Sequence, residues 1–155
     1  MSTAIHRLVE ECRAGRREST VCRVTSGWVV LGDAQFVRGY SLLLPDPVVA
    51  DLNELEGEKR AAFLRDMSVV GDALLALTDA VRINYEILGN VDPALHAHVV
   101  PRYAHEPEAL RTKPPFAYDW AAAPRFDAAR DGPLLAALRG ELERHGAAAS
   151  GRSSR

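Results

Sequence analysis

The sequence predicts an α+β domain built on an antiparallel β-sheet, with one long helix and shorter terminal helices. Short runs rich in β-branched and aromatic residues occupy residues 20–45 and occur again at residues 82–102. Between them the apolar residues change to spacings of three and four, which is typical of a helix. The resulting order of strands, helix and strands indicates an α+β fold.

The N-terminal part of the chain predicts one helix and three strands. Apolar residues recur at helical spacing over residues 3–14, and Ser2 or Thr3 is available to accept hydrogen bonds from the first free amides. The runs "TVCRVT" and "GWVVLG", separated by a Ser-Gly pair, predict a hairpin. The run "QFVRGYSLLLP" predicts a third strand that ends where Pro45 removes a ladder donor.

The middle of the chain predicts a long helix followed by two further strands. Residues 46–81 contain an apolar stripe that should cover one face of the sheet. The stripe consists of Phe63, Met67, Val70, Leu74 and Leu77. After it, "RINYEIL" predicts a strand, "GNVDP" a turn and "LHAHVVPRY" the next strand.

The chain is predicted to form a single domain over residues 1–146, followed by a flexible C-terminal tail over residues 147–155. Residues 104–126 hold four prolines and four aromatic residues without periodicity, so we expect them to lie over the surface as a flap. Helical spacing returns over residues 132–145. The last residues are small and polar, which is typical of a mobile terminus.

Charge and cysteine content exclude several classes of protein. Nineteen Lys and Arg against 21 Asp and Glu give a net charge of -2, so the chain lacks the positive field that binds nucleic acid or an acidic membrane. The first twenty residues carry charge throughout, which predicts a cytoplasmic protein without a signal peptide. Cys12 and Cys22 are too few for a disulfide scaffold or a four-thiolate zinc site. The expected partners are small molecules or proteins.

Two histidines one residue apart, in "LHAHVVPRY", are the strongest candidates for chemistry. On a strand, alternate side chains share a face, so His96 and His98 should point to one side while Leu95, Ala97 and Val99 point into the core. An imidazole changes charge near neutral pH. One ring could therefore attack a substrate while the other donates a proton or stabilises negative charge.

Spacing alone leaves two other interpretations of this pair open. A histidine on a sheet is more often a solvated or hydrogen-bonded residue than a catalytic one. A His-x-His pair on a strand can also supply two ligands to zinc, but a complete site needs at least a third ligand. His6, His105 and His145 have no evident spacing relation to the pair.

The wider segment "RINYEILGNVDPALHAHVVPRY" resembles the histidine triad family, and in particular its bacterial branch likened to diadenosine polyphosphate hydrolases. That branch often reads Asn-Tyr, Leu-Gly-Asn, and then a proline followed by His-x-His-x-His and Pro-Arg. Upstream, "FVRGYSLLLPDPVVADLNEL" resembles the strand and helix entry of the same branch, and "YDW" resembles its C-terminal tryptophan. The resemblance covers roughly residues 20–120.

This resemblance implies a role for each histidine. His96 would be the nucleophile that attacks the α-phosphorus of a nucleotide and holds the nucleotidyl group covalently until water takes it. His98 would lie near the phosphate oxygens or the leaving group, where it offsets developing charge. The resemblance implies no metal and no cofactor for this chemistry.

The sequence departs from the family pattern at the first motif histidine, where this chain has Ala94. The large aromatic residue often found between the last two histidines is Ala97. A backbone carbonyl at residue 94 can still accept a hydrogen bond from the nucleophile's second nitrogen, which would preserve its orientation. The change could equally mark a protein that binds nucleotides without turning them over.

The resemblance also suggests two substrate-binding residues. Asn90 matches an amide near the substrate phosphate, and Asp33 lies near the place where family members hold the ribose hydroxyls. Both residue types are also common in turns, which is an adequate explanation of either. Tyr40 is expected beside a catalytic residue or in the core.

Two further residues stay outside the predicted site. Arg102, at the end of a strand, is expected to be a solvated surface charge. Trp120 is expected to anchor the flap to the core, although it could close over the leaving group from the same chain or from a partner subunit.

The leading hypothesis is a hydrolase or nucleotidyl transferase that acts at the α-phosphorus of a dinucleoside polyphosphate or nucleoside phosphoramidate through a nucleotidyl-histidine intermediate. The alternative is a nucleotide-binding regulatory protein with reduced or no catalysis. The resemblance also implies a homodimer that forms by joining the sheets of two copies.

Overall fold

The computed structural model describes residues 1–149. In chain order its elements are α1 (Ala4–Arg13), β1 (Thr20–Val24), β2 (Gly27–Leu31), β3 (Ser41–Pro45), α2 (Gly57–Leu77), β4 (Arg82–Glu86), β5 (Ala97–Arg102), α3 (Glu108–Arg111) and α4 (Ala128–Arg144). Single turns of 3-10 helix occur at Leu52–Glu54 and Pro115–Ala117. The α+β class with one long helix and shorter terminal helices is confirmed.

The strands form one antiparallel sheet in the order β1-β2-β3-β5-β4. The histidine strand β5 is therefore interior, with β3 on one side and β4 on the other. The register places His98 opposite Leu42 of β3 and opposite Glu86 of β4. Because directly opposite residues of antiparallel strands share a face, these three side chains lie side by side.

Different elements cover the two faces of the sheet. Helices α2 and α4 pack on the face that carries Leu43, Ala97 and Val99, which forms the main core. On the second face, α1 packs over Leu44 and its neighbours, and residues 104–126 pack beside it. The histidines lie on this second face, in the region between α1 and the flap.

The start of helix α1 and the start of helix α2 both follow from local sequence signals. Thr3 caps α1, because its hydroxyl accepts from the amide of His6 while its own amide donates to the ring of His6. Helix α2 covers Gly57–Leu77 and contains the whole apolar stripe, but it begins eleven residues after the start of the predicted stretch 46–81. Pro45 and Pro47 disfavour helix at the residues before them, so the chain runs extended and turns before α2 starts.

Strand β3 is shorter than the predicted run from residue 35 to residue 45, because residues 32–40 form a closed loop. The side-chain amide of Gln35 donates to the carbonyls of Gly32 and Tyr40, at 2.8 and 2.9 Å, and its oxygen accepts from the amide of Gly39. Gly39 has a φ of 89°, which favours glycine. Strand pairing therefore begins only at Ser41.

Arg102 is buried, and the expectation that it is a solvated surface charge is wrong. Its side chain donates to both oxygens of Glu106 at 3.1 and 3.2 Å, to the Asn84 side chain at 2.7 Å and to the Lys113 and Leu110 carbonyls at 2.7 and 3.0 Å. A guanidinium with this many acceptors can be held away from water. Arg102 therefore fastens residues 104–115 to the sheet.

The first residues of the predicted tail lie along the edge of the sheet. Ala148 bridges Val24, and the amide of Ala149 donates to the carbonyl of Arg23 at 2.9 Å. This covers part of the outer edge of β1. Residues 150–155 of the predicted tail lie outside the described residues. Within residues 1–149, no helix has the length and apolar character needed to cross a bilayer.

Replacing Arg102 should destabilise the fold and loosen the flap. Arg102→Met leaves the buried Glu106 carboxylate without its cation, and losing one partner of such a pair costs about 3–5 kcal/mol of unfolding free energy. Urea denaturation measures this loss, and limited proteolysis should show faster cleavage within residues 104–120. Arg82→Met is the matched control, because Arg82 of β4 lies opposite Arg102 in the strand register but is exposed. Equal stability of the two variants would contradict the assigned role of Arg102.

Candidate functional site

A pocket of about 520 Å³ opens beside the two histidines on the second face of the sheet. It is lined by the end of β4 and the loop that follows it, by the two histidines and by aromatic residues of the flap. The wall comprises Glu86, residues 88–92, His96, His98, Phe116, Tyr118 and Trp120. The volume lies within the range of small-molecule sites.

His96 lies one residue before β5, and a backbone acceptor fixes its ring. Its Nδ1 is 2.8 Å from the carbonyl oxygen of Ala94. A carbonyl can only accept, so Nδ1 carries the proton and donates it in this bond. In the neutral ring the lone pair is therefore on Nε2, the nitrogen that remains available to a ligand in the pocket.

Ala94 contributes its carbonyl to the site but not its side chain. Its methyl group is 1% exposed and belongs to the apolar cluster in which α1 packs on the sheet, with Ile5, Val9 and Leu44 among its members. The backbone of residue 94 therefore orients His96, as the sequence suggested it could. A larger side chain at position 94 would have to enter a packed apolar cluster.

His98 forms a hydrogen bond with Tyr40, whose hydroxyl lies 2.6 Å from its Nδ1. Burial, and secondarily the charges of Glu86 and Asp33, raises the pKa of Tyr40, so the phenol keeps its proton. Nδ1 is the one acceptor within reach of this hydroxyl among the described residues, so we assign the hydroxyl as the donor and Nδ1 as the acceptor. Burial, and secondarily His96, lowers the pKa of His98 to about 4. His98 is therefore neutral at neutral pH, and its proton is on Nε2.

The two imidazoles lie close together with their rings steeply inclined. Their centroids are 4.9 Å apart and the interplanar angle is 70°. The two rings carry their protons on different nitrogens, since His96 holds its proton on Nδ1 and His98 on Nε2. The site thus offers one unprotonated nitrogen and one N–H donor side by side.

Trp120 is both an anchor of the flap and a residue of the pocket wall. Its ring stacks on Phe36 with a centroid distance of 4.6 Å, and its indole N–H donates to the carbonyl of Pro115 at 3.0 Å. The same ring lies 5.8 Å from that of His98 and forms part of the pocket wall. Trp120 anchors the flap of its own chain and also lines the site.

The structure brings Asn90 to the histidines but not Asp33. Asn90 lies in the pocket wall, after Gly89, whose φ of 76° makes the turn. Asp33 lies beyond the end of β2, outside the pocket lining, and its carboxylate is 2.5 Å from Arg17 and 4.0 Å from Arg125. Its surroundings give it an ion-pairing role at the surface.

Sequence reasoning did not assign seven residues of the pocket wall to the site: Glu86, Leu88, Gly89, Val91, Asp92, Phe116 and Tyr118. Glu86 belongs to a predicted strand, but the register that sets it opposite His98 cannot be read from the pattern. Phe116 and Tyr118 lie in a flap without periodicity, where only their aromatic character was a signal. Within the described residues, no group of three or more His, Cys, Asp or Glu side chains is placed to hold a metal ion.

Comparisons with known proteins bear on this fold. No protein-family model matches the chain, and no curated protein matches it. Several solved structures match along most of their length. A histidine triad protein of Sinorhizobium meliloti is 21% identical with a TM-score of 0.69, and the match covers 84% of this chain and 93% of that one.

Two other solved structures are also similar to this chain along most of their length. A hypothetical histidine triad nucleotide-binding protein of Sulfolobus tokodaii is 14% identical with a TM-score of 0.69, covering 89% of this chain and 92% of that one. A zinc-bound histidine triad family protein of Mycobacterium smegmatis is 20% identical with a TM-score of 0.61, covering 85% and 91%. The chain therefore has the fold of histidine triad proteins.

The proton state of His98 can be measured directly. Its ring signals should titrate near pH 4 in an NMR experiment, and the His98→Gln variant assigns them by their disappearance. Because the folded-state pKa lies below the ordinary value of 6.5, protonation favours the unfolded chain. Wild type should therefore lose stability relative to His98→Gln as the pH falls from about 6.5 to about 4. Titration of His98 near its ordinary value would refute the assignment.

Proposed function

Because the chain has the fold of histidine triad proteins, we propose that it belongs to their family and catalyses hydrolysis or transfer of a nucleotidyl group at the α-phosphorus of a nucleoside phosphate derivative. The observation that supports this most is the hydrogen bond from His96 Nδ1 to the Ala94 carbonyl, which leaves Nε2 unprotonated on a ring that lines a nucleotide-sized pocket. His96 is the proposed nucleophile.

The proposed reaction has two displacements at one phosphorus. In the first, the Nε2 lone pair of His96 forms a bond to the α-phosphorus as the bond to the leaving group breaks and its electron pair departs with that group. In the second, a water oxygen attacks the phosphorus, the phosphorus–nitrogen bond breaks, and the water's proton is released. The Ala94 carbonyl accepts from the ring throughout, which stabilises the positive charge that the imidazole gains on attack.

His98 is proposed to bind the phosphoryl oxygens as a neutral donor. Tyr40 occupies its Nδ1, so Nε2–H is the group that it can direct at an oxygen of the substrate. Asn90, in the same wall, is proposed to donate its side-chain amide to the phosphate. We propose no substrate contact for Asp33, since its carboxylate is paired with Arg17.

We also propose that the protein forms a homodimer, and the open edge of the sheet supports this. Strand β4 is the last strand of the order, so its outer backbone groups have no strand partner within residues 1–149. A free edge of this kind pairs readily with another strand, and a second copy of β4 would extend the sheet.

Replacement of the nucleophile is the direct test of this function. His96→Ala should reduce hydrolysis of adenylyl esters and amidates on the order of 10³-fold or more, as expected when a nucleophile is removed. Rapid quench with substrate labelled at the α-phosphorus should trap a phosphorus–nitrogen adduct in wild type and none in the variant. His105→Ala is the control, since His105 is exposed and outside the pocket. Unchanged turnover in His96→Ala would overturn the proposal.

A second candidate function, nucleotide binding without efficient turnover, rests on the substitution at residue 94. The geometry favours the first candidate, because the backbone of this residue already orients His96. We therefore expect Ala94→His to give no gain in turnover and to lower the thermal midpoint, since overpacking a core costs typically 1–3 kcal/mol. Activity assays and thermal melts measure both effects. A hundred-fold gain in turnover would favour the regulatory candidate instead.

A further inference from the structure

The pocket beside the histidines is lined by acidic residues and, within residues 1–149, by no Lys or Arg, which is unusual for a site proposed to bind phosphates. Its wall includes two carboxylates, Glu86 and Asp92. Three aromatic residues of the flap, Phe116, Tyr118 and Trp120, line the same cavity. The wall therefore combines acidic and aromatic side chains.

Each of the two carboxylates has one buried oxygen without a hydrogen-bond partner among the described residues, but only Asp92 is held by the backbone through its other oxygen. One oxygen of Asp92 accepts from the amide of Ile5 at the start of α1, at 3.3 Å, so Asp92 fastens the pocket loop to that helix. Glu86 lies directly opposite His98 in the strand register and shares its face. One oxygen of Glu86 is buried and has no hydrogen-bond partner among the described residues.

No Lys or Arg of the described residues lines this pocket, whereas a neighbouring cavity that Glu86 also borders is lined by Arg102, Arg111 and Lys113. Burial raises the pKa of this carboxyl, and the charge of Arg102 opposes the effect only in part. Arg102 is itself bound to Glu106, at 3.0 Å, and to acceptors of the flap. The buried oxygen is closed to solvent, but the residue lines the pocket, so the carboxylate places a negative charge in the pocket wall. Such a charge attracts a hydrogen-bond donor or a cation of the ligand.

A polyphosphate leaving group is poorly suited to this wall. Such a chain carries several negative charges, which proteins usually meet with Arg or Lys donors or a metal ion. Next to Glu86 it would meet a like charge in a partly buried site, where screening by water is weak. An ammonium group has the opposite preference, because both a carboxylate and the face of an aromatic ring attract it.

We propose that Glu86 is a specificity-determining residue that selects the leaving group by charge. It accepts a hydrogen bond from an amine-bearing leaving group and repels a polyphosphate one. This inference rests on the proposed function, and it narrows the substrates to nucleoside monophosphate esters and amidates whose leaving group is neutral or cationic. Glu86 itself takes no part in bond making or breaking.

Three substrates that share an adenylyl group test the selection. The leaving groups are p-nitrophenol, which is neutral in the ester, ethylenediamine, which carries a free ammonium, and pyrophosphate, supplied as ATP. All assays contain EDTA so that no divalent cation offsets the charge. Wild type, Glu86→Gln and the control Glu143→Gln are compared by kcat/KM. Glu143 is exposed on α4, on the opposite face of the sheet.

Relative to the neutral ester, Glu86→Gln should raise kcat/KM for ATP by about ten-fold or more and lower it for the ammonium-bearing amidate by a similar factor. Glu143→Gln should leave both ratios unchanged. Ratios that do not move in Glu86→Gln, or that move equally in the control, overturn the selection by Glu86 even when wild type is active.

Binding separates failure of this inference from failure of the proposed function. Calorimetry with AMP, ATP and the ethylenediamine amidate, on the His96→Ala background, needs no turnover. The same shifts in relative affinity on adding Glu86→Gln would support the selection even if no substrate is hydrolysed. Unchanged relative affinities overturn it, and absence of binding by all three ligands overturns both proposals.

Discussion

The hydrogen bond from the ring of His96 to the carbonyl of residue 94 fixes the chemistry available to the whole site. It decides which nitrogen carries the proton, and therefore which nitrogen can act on a ligand. Because the acceptor is main chain, the arrangement tolerates alanine at a position where the family pattern has histidine. The methyl group is free to serve a different purpose, and it packs under α1.

Much of the fold could be predicted because its signals are local. The period change marks α2, the β-branched runs mark the strands, and alternation along a strand places the two imidazoles on one face. The prediction failed where particular side-chain contacts, local or long-range, decide the outcome. Gln35 bonds residues of its own loop and so delays the start of β3, and Arg102 is buried because acceptors from β4 and from the flap surround it.

The candidate site shows the same division between local and long-range information. His96, His98 and Asn90 belong to one continuous stretch and could be named from the sequence. Tyr40 and Glu86 meet His98 only because β5 inserts between β3 and β4, and neither spacing nor composition encodes that register. Asp33 shows the opposite failure, since it lies close to the expected place along the chain but its carboxylate is turned toward Arg17.

Because Arg102 attaches the flap to the sheet, the aromatic wall of the site and the backbone that orients His96 are held by different residues. Glu106, held by Arg102, accepts a hydrogen bond from the hydroxyl of Tyr118, so this part of the aromatic wall is supported from β5 and not from the histidine loop. Exchange of Phe116, the exposed ring of this wall, would leave the backbone that orients His96 untouched. In related proteins the chemistry of the attacking ring could thus be inherited unchanged while preferences for the departing group diverge.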